Sequence, residues 1–200
     1  YTDFEWKLDN IAETATIDAA NQTITMRVWV KNTGDVAGKD VVQVYYTGPY
    51  TKGEIEKAST NLGGFAKTDL LEPGEAQVVT VKFTAQEMAS FDWNDANKNG
   101  FKGYELEAGD YVVSINRNSH EVVDSVTRTV SEDIKCETDY ITGNKVEPIF
   151  VDKYTSINDN LIENKISRAN GLKQPEIATA EDRELTAEEE MVIKGMFYQR

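Results

Sequence analysis

The 200-residue chain is poor in several things: one cysteine, one histidine, four prolines, and only 21 lysines and arginines against 35 aspartates and glutamates. A single thiol, Cys136, excludes an internal disulfide and leaves the redox compartment open. No apolar run approaches the ~20 residues that a membrane-spanning helix needs. Tyr1 is not followed by a basic-then-apolar leader, so no secretory signal is visible in these residues. The net charge is −14, and the acidic excess lies on both sides of residue 130 and is not confined to a tail. A field of that sign repels phosphate backbones and anionic lipid, which argues against nucleic acid and membrane surfaces as partners. Neutral sugars stay acceptable. With His120 as the sole histidine, a Ser119–His120–Asp124 triad can be written, but adjacency in sequence does not create triad geometry. Its setting between Asn116 and Glu121 reads as an exposed polar turn.

What is present is enough for an ordinary core: 40% apolar residues, with three tryptophans, nine tyrosines and seven phenylalanines. From Thr23 to Asn32 the chain alternates, with Ile24, Met26, Val28 and Val30 on one face and Thr25, Arg27, Trp29 and Lys31 on the other. Period two is the strand signature. The same logic predicts strands at Phe4–Leu8, Asp40–Thr47, Gly64–Thr68, Ala76–Thr84, Asp110–Asn116 and Glu121–Val130, seven in all. Asn32-Thr33-Gly34 and Leu71-Glu72-Pro73-Gly74 supply turns, since proline fixes one φ and glycine permits positive φ. A short helical turn is expected across 85–89. Tyr111, just after the Gly109 turn, fits a tyrosine corner. The pattern predicts an all-β, seven-stranded fibronectin type III/immunoglobulin-like sandwich over residues 1–135. The antibody-type cysteine pair and buried tryptophan are absent, which favours the fibronectin type.

Composition changes after Glu132. Residues 136–185 show no sustained period and carry two separated prolines, Pro148 and Pro175, so they read as an extended interdomain connector. Thr186-Ala187-Glu188-Glu189 matches a capping box and predicts a short helix from Ala187 to Tyr198, with Met191, Val192 and Met196 on one side. That helix has no terminating signal, so residues 186–200 are expected to lead into a further domain. No repeat or low-complexity tract is seen.

Four blocks occur in a specific order: 29–45 around Asn32-Thr33-Gly34 and Val41–Tyr45, then Gly64-Phe65, Leu71–Glu75, and Tyr104–Val112. Together they resemble the fibronectin type III-like domain that accompanies the catalytic domains of glycoside hydrolase family 3, the β-glucosidase and β-xylosidase family. The resemblance implies a parent that hydrolyses β-glycosides through a covalent intermediate, with its catalytic carboxyls on two other domains. No segment here matches either carboxylate motif, so these residues are expected to cleave nothing and to space and buttress catalytic domains of the same polypeptide. It also allows β-linked oligosaccharide as a ligand and a homodimer of the parent. The stretch with Ser167-Arg168 and Pro175 resembles the bridge into the barrel of a subgroup with inverted domain order. An aromatic residue expected shortly after that pair is replaced by Ala169-Asn170-Gly171.

Two further features could carry chemistry. Trp29, Tyr45, Tyr50, Phe65, Phe91 and Trp93 could dock a neighbouring domain or, as in a carbohydrate-binding module, stack on sugars. Trp29 and Tyr45 are expected on different sheets, which disfavours one sugar platform and favours docking. Asp95, Asn97 and Asn99, with Gly100 and the Phe101 carbonyl, match the first half of a calcium loop, where glycine allows the oxygens to converge. The twelfth position is Leu106, so the second half fails. The other reading is an Asn/Gly turn held by Asx hydrogen bonds.

Overall fold

A computed structural model describes residues 1–9, 16–146, 167–171 and 184–197. The chain divides into two compact units, Tyr1–Ala169 and Asn170–Arg200. In the first, all seven expected strands form: β1 (Phe4–Leu8), β3 (Thr23–Asn32), β4 (Val41–Thr47), β5 (Asn61–Lys67), β6 (Ala76–Thr84), β9 (Gly109–Asn118) and β10 (Glu121–Val130). Four short strands join them: β2 (Thr16–Ile17), β7 (Ser90–Asp92), β8 (Gly103–Leu106) and β11 (Ile134–Lys135). These have two to four residues, too few for a period to show. The fold is an all-β sandwich. One sheet runs β1-β3-β6, the other β2-β10-β9-β4-β5, and a small third sheet runs β11-β8-β7.

The alternation is what makes the two sheets face each other. Ile24, Met26, Val28 and Val30 of β3, with Val79, Val81 and Phe83 of β6, meet Val42 and Val44 of β4, Val113 and Ile115 of β9, and Val130. Each such side chain, once buried, contributes roughly 1.5–3 kcal/mol. β5 begins three residues before the expected Gly64, because Asn61 and Gly63 carry no apolar signal. Gly63 and Gly64 are both needed. A Cβ on Gly63 would lie 3.0 Å from the Phe83 ring, and one on Gly64 would lie 2.9 Å from Val81, so β5 packs backbone-first against β6. Tyr111 is buried, and its hydroxyl bonds to the Glu107 backbone four residues upstream, which completes a tyrosine corner.

A buried tryptophan is present after all, on the first strand and outside the antibody-type position. Trp6 donates its indole N–H to Asp40 Oδ2 at 2.7 Å, and the Arg117 guanidinium lies 4.2 Å from its ring centroid. Arg117 also contacts Asp40 at 3.3 Å and donates to the Phe4 carbonyl. One cation thus ties β1, the start of β4 and β9 together.

Residues 136–146, assigned to the connector by composition, bond back onto the sandwich. Cys136 N–H donates to the Tyr104 carbonyl at 2.8 Å, and Gln86 exchanges bonds with Thr138 and Tyr140. Burial, with Glu105 nearby, pushes the Cys136 thiol up to about 11, so it is protonated and unreactive in the fold. Most of the remaining connector (147–166 and 172–183) lies outside the described residues. In the second unit, helix α1 covers Ala187–Phe197. Its capping box forms as expected, with Thr186 Oγ1 and N both 2.8–2.9 Å from Glu189 Oε2. The side chains of Val192 and Met196, and Tyr198 itself, are outside the described residues.

Asn32, at the end of β3, is wholly buried and fully bonded. Its Oδ1 accepts from Thr2 Oγ1 and Gly34 N–H, and its Nδ2 donates to the Val36 and Leu71 carbonyls. Asn32→Ala should destabilise the sandwich by about 2–4 kcal/mol, because the Val36 and Leu71 carbonyls, the Gly34 N–H and the Thr2 hydroxyl lose their partner together. Urea unfolding followed by tryptophan fluorescence checks this, and a loss near zero would remove Asn32 from its structural role.

Candidate functional surfaces and their relatives

Three surfaces compete for a functional role. The outer face of the three-stranded sheet carries Trp29 among Lys7, Arg27, Lys31 and Lys82. Glu5 and Asp9 pair with Lys7 and Arg27 at 2.8 Å each. The Lys7 ammonium lies over the Trp29 ring, 5.3 Å from its centroid, so that face of the indole is already occupied. This is a solvated, charged face with a half-buried aromatic.

The outer face of the five-stranded sheet differs in kind. Register places Phe65, Gln43, Asn116 and Val122 in one cross-strand row, and Leu62, Tyr45, Ser114 and Ser125 in the next, followed by Thr47, Val112 and Thr127. None of these eleven side chains is charged. Phe65 is 68% exposed, Val122 58% and Leu62 51%. Beneath them Asn116 is buried, and its Oδ1 meets no donor among the described residues. Of the sequence candidates, Tyr45 and Phe65 meet here. Leu62, Val112 and Val122 were missed, because four sequence-distant strands build the face and Asn61 and Gly63 hid the start of β5.

At one end of the sandwich, Phe91 lines a cavity of about 260 Å³ with Tyr46, Glu56, Lys57, Met88 and Asn61. Phe91 packs against Tyr104 at 5.0 Å between centroids. Lys57 and Glu107 form a nearly buried ion pair beside it. Tyr50 stands on the neighbouring loop, where its hydroxyl donates to Glu56 at 3.2 Å. Trp93 is half-buried at the start of the Asp/Asn loop. His120 is exposed in the β9–β10 turn.

In the Asp95–Phe101 loop the oxygens are engaged locally. Asp95 Oδ1 accepts from Gly100 N–H, Asn97 Oδ1 from Asn99 N–H, and Asn99 Oδ1 from Phe101 N–H, each at 3.0–3.2 Å. The Asn97 and Asn99 amide nitrogens face Glu105, a carboxyl with no exposed surface. That geometry is the Asx turn. No group of three or more His, Cys, Asp or Glu side chains among the described residues is placed to hold a metal. Isothermal titration with millimolar Ca²⁺ decides between the two readings: flat heats are expected from the Asx turn, and a saturable signal lost in Asp95→Ala from the calcium loop.

Burial raises the Glu105 pKa, the two asparagines oppose the shift, and Asp133 and Asp92 add to it. Because the folded pKa lies above the unfolded value of about 4.5, the folded chain holds this proton more tightly. Its contribution to stability is fully present below the unfolded pKa and is lost as pH rises through the folded pKa. Glu105→Gln cannot ionise, so its melting temperature relative to wild type should climb as pH rises through this window. A difference independent of pH, read by calorimetry, would contradict the assignment.

Residues 40–119 match the family model for the fibronectin type III-like domain. Thermostable β-glucosidase B of Acetivibrio thermocellus is 30% identical over 152 residues, 76% of this chain and 19% of that protein. β-Glucosidase A of Butyrivibrio fibrisolvens is 44% identical over 88 residues, 44% of this chain and 10% of that protein. A solved β-glucosidase from Paenibacillus barengoltzii superimposes with a TM-score of 0.58 at 34% identity, covering 67% of this chain and 14% of that one. The chain spans between 8% and 19% of the length of these and similar curated relatives. The sandwich is a fibronectin type III-like domain. More narrowly, it is the accessory, non-catalytic domain found in glycoside hydrolase family 3 β-glucosidases.

Proposed function

We propose that this domain spaces and buttresses the catalytic domains of a longer family 3 β-glucosidase-like polypeptide, and that it docks through the outer face of the five-stranded sheet. The parent would hydrolyse β-glycosides on carboxyls carried elsewhere. One observation supports the docking reading above the rest: three cross-strand rows without a charge, in a chain whose net charge is −14. Uncharged exposed area of that extent is costly to leave in water and marks an interface. The asparagine acceptor left without a donor beneath it is what a covering surface would satisfy. Trp29, by contrast, sits among cations that favour solvent.

The test is made in the parent enzyme. Phe65→Asp should lower the melting temperature and the hydrolysis of an aryl β-glucoside, because it places a charge in a dry contact. Trp29→Ala should leave both near wild type. Wild-type behaviour from Phe65→Asp would overturn the docking reading. Saturable binding of a cello-oligosaccharide by the isolated chain, lost on Tyr45→Ala, would replace it with a carbohydrate-binding module.

A further inference from the structure

Ser167, Arg168 and Ala169 belong to the same compact unit as the sandwich, more than a hundred residues after the loop they touch. The Ser167 hydroxyl donates to Glu56 Oε2 at 2.8 Å, and the Arg168 backbone N–H donates to Glu56 Oε1, also at 2.8 Å. Both carboxylate oxygens are thus engaged by one turn. The Tyr50 hydroxyl donates to Glu56 Oε2 from the other side, at 3.2 Å. The Arg168 guanidinium then covers the Tyr50 ring, 4.6 Å from its centroid. Ser167 Oγ accepts from Ala169 N–H at 3.1 Å, which closes the turn on itself. Of these five contacts three join the two chain segments, two donors on one carboxylate and one cation on one aromatic ring, and the other two brace the loop and the turn from within.

We propose that the Tyr50–Glu56 loop is a receptor site for the connector, and that Glu56 clasps the Ser167–Arg168 turn. The connector is then a tethered segment whose position at Ala169 is set by the sandwich. The chemistry suits the task. A carboxylate accepts several bonds at once, and donors aimed at an ionised acceptor make stronger bonds than neutral pairs do. Arginine adds a flat, weakly hydrated cation able to stack on tyrosine while its backbone is held. Solvent weakens each contact here, so the hold depends on their number. The surrounding groups agree with this role: the amide of Arg168 is the largest influence holding the Glu56 carboxyl below its ordinary range.

This clasp is independent of which sheet face docks, because it is made within one chain, and its test reads the isolated chain without any enzyme activity. Trypsin must draw the Arg168 side chain into its own pocket and open the local backbone before it can cut after Arg168. Mass spectrometry of timed digests should therefore show slow cleavage there, against Lys98, exposed in the Asp95–Phe101 loop, as an internal reference. Glu56→Ala should speed the Arg168 cut at least about tenfold while leaving the Lys98 cut unchanged, since local opening governs such rates. Tyr50→Phe, which keeps the ring and loses one donor, should speed it less. Hydrogen exchange at the Arg168 amide should lose its protection in parallel. If Glu56→Ala melts the sandwich, Ser167→Ala carries the same comparison without touching the loop. Equal cleavage and exchange in wild type and in a folded variant would overturn the clasp.

Discussion

The sandwich depends on one buried amide. Asn32 ends β3 with no exposed surface, and each of the four hydrogen-bonding positions on its side chain is used. Those bonds reach Thr2 ahead of β1, Gly34 and Val36 in the following turn, and Leu71 ahead of β6. Its backbone joins in, with Asn32 N–H bonded to the Glu75 carbonyl and Gly74 N–H to the Asn32 carbonyl. Aliphatic alternation alone would let β1, β3 and β6 slide by two residues and still bury their valines. A wholly satisfied polar group does not permit that, since any slip leaves several buried groups unpaired at about 1–3 kcal/mol each. Hydrophobic burial supplies the stability, while Asn32 selects the register.

This also explains why certain short blocks were legible in the sequence. Asn32-Thr33-Gly34 and Leu71–Glu75 look like separate turns, yet in the fold they are two halves of one knot. Their joint presence carries more information than either alone. The seven long strands were readable because each spans enough residues for period two to appear. What escaped notice had physical causes. Strands of two to four residues have no period. Gly63 contributes to the core by lacking a side chain, so an apolar pattern passes over it. Trp6 looked like any strand aromatic, because its partners Asp40 and Arg117 stand 34 and 111 positions away. The uncharged face was invisible for the same reason: no single strand in it reads as unusual.

The charge distribution connects fold to role. A net charge of −14 could be spread evenly, but two of the large faces depart from it in opposite ways. One concentrates lysine and arginine around Trp29 and binds them to local carboxylates. The other removes charge altogether from three rows of four strands. A solvated face gains from charges, whereas a face destined for burial must avoid them, because an unpaired charge in a dry contact costs more than the contact returns. The sequence candidates Trp29 and Tyr45 therefore belong to different environments, although both are aromatic strand residues pointing away from the core.

The spacing role proposed for this domain requires its own ends to be fixed. The start of the domain is fixed by Thr2 on Asn32 and by the pairing of β1 along its whole length with β3. Beyond β10, β11 pairs with β8, and Cys136 bonds to Tyr104, which carries the chain back over the small third sheet. The Glu56 contacts extend that logic to Ala169. Each joint uses a different device: a buried amide, a strand pair, a carboxylate shared by several donors. They follow a gradient of burial, from Asn32 with no solvent to the exposed Glu56. The last joint is consequently the easiest to release, while the earlier ones are held within the sandwich.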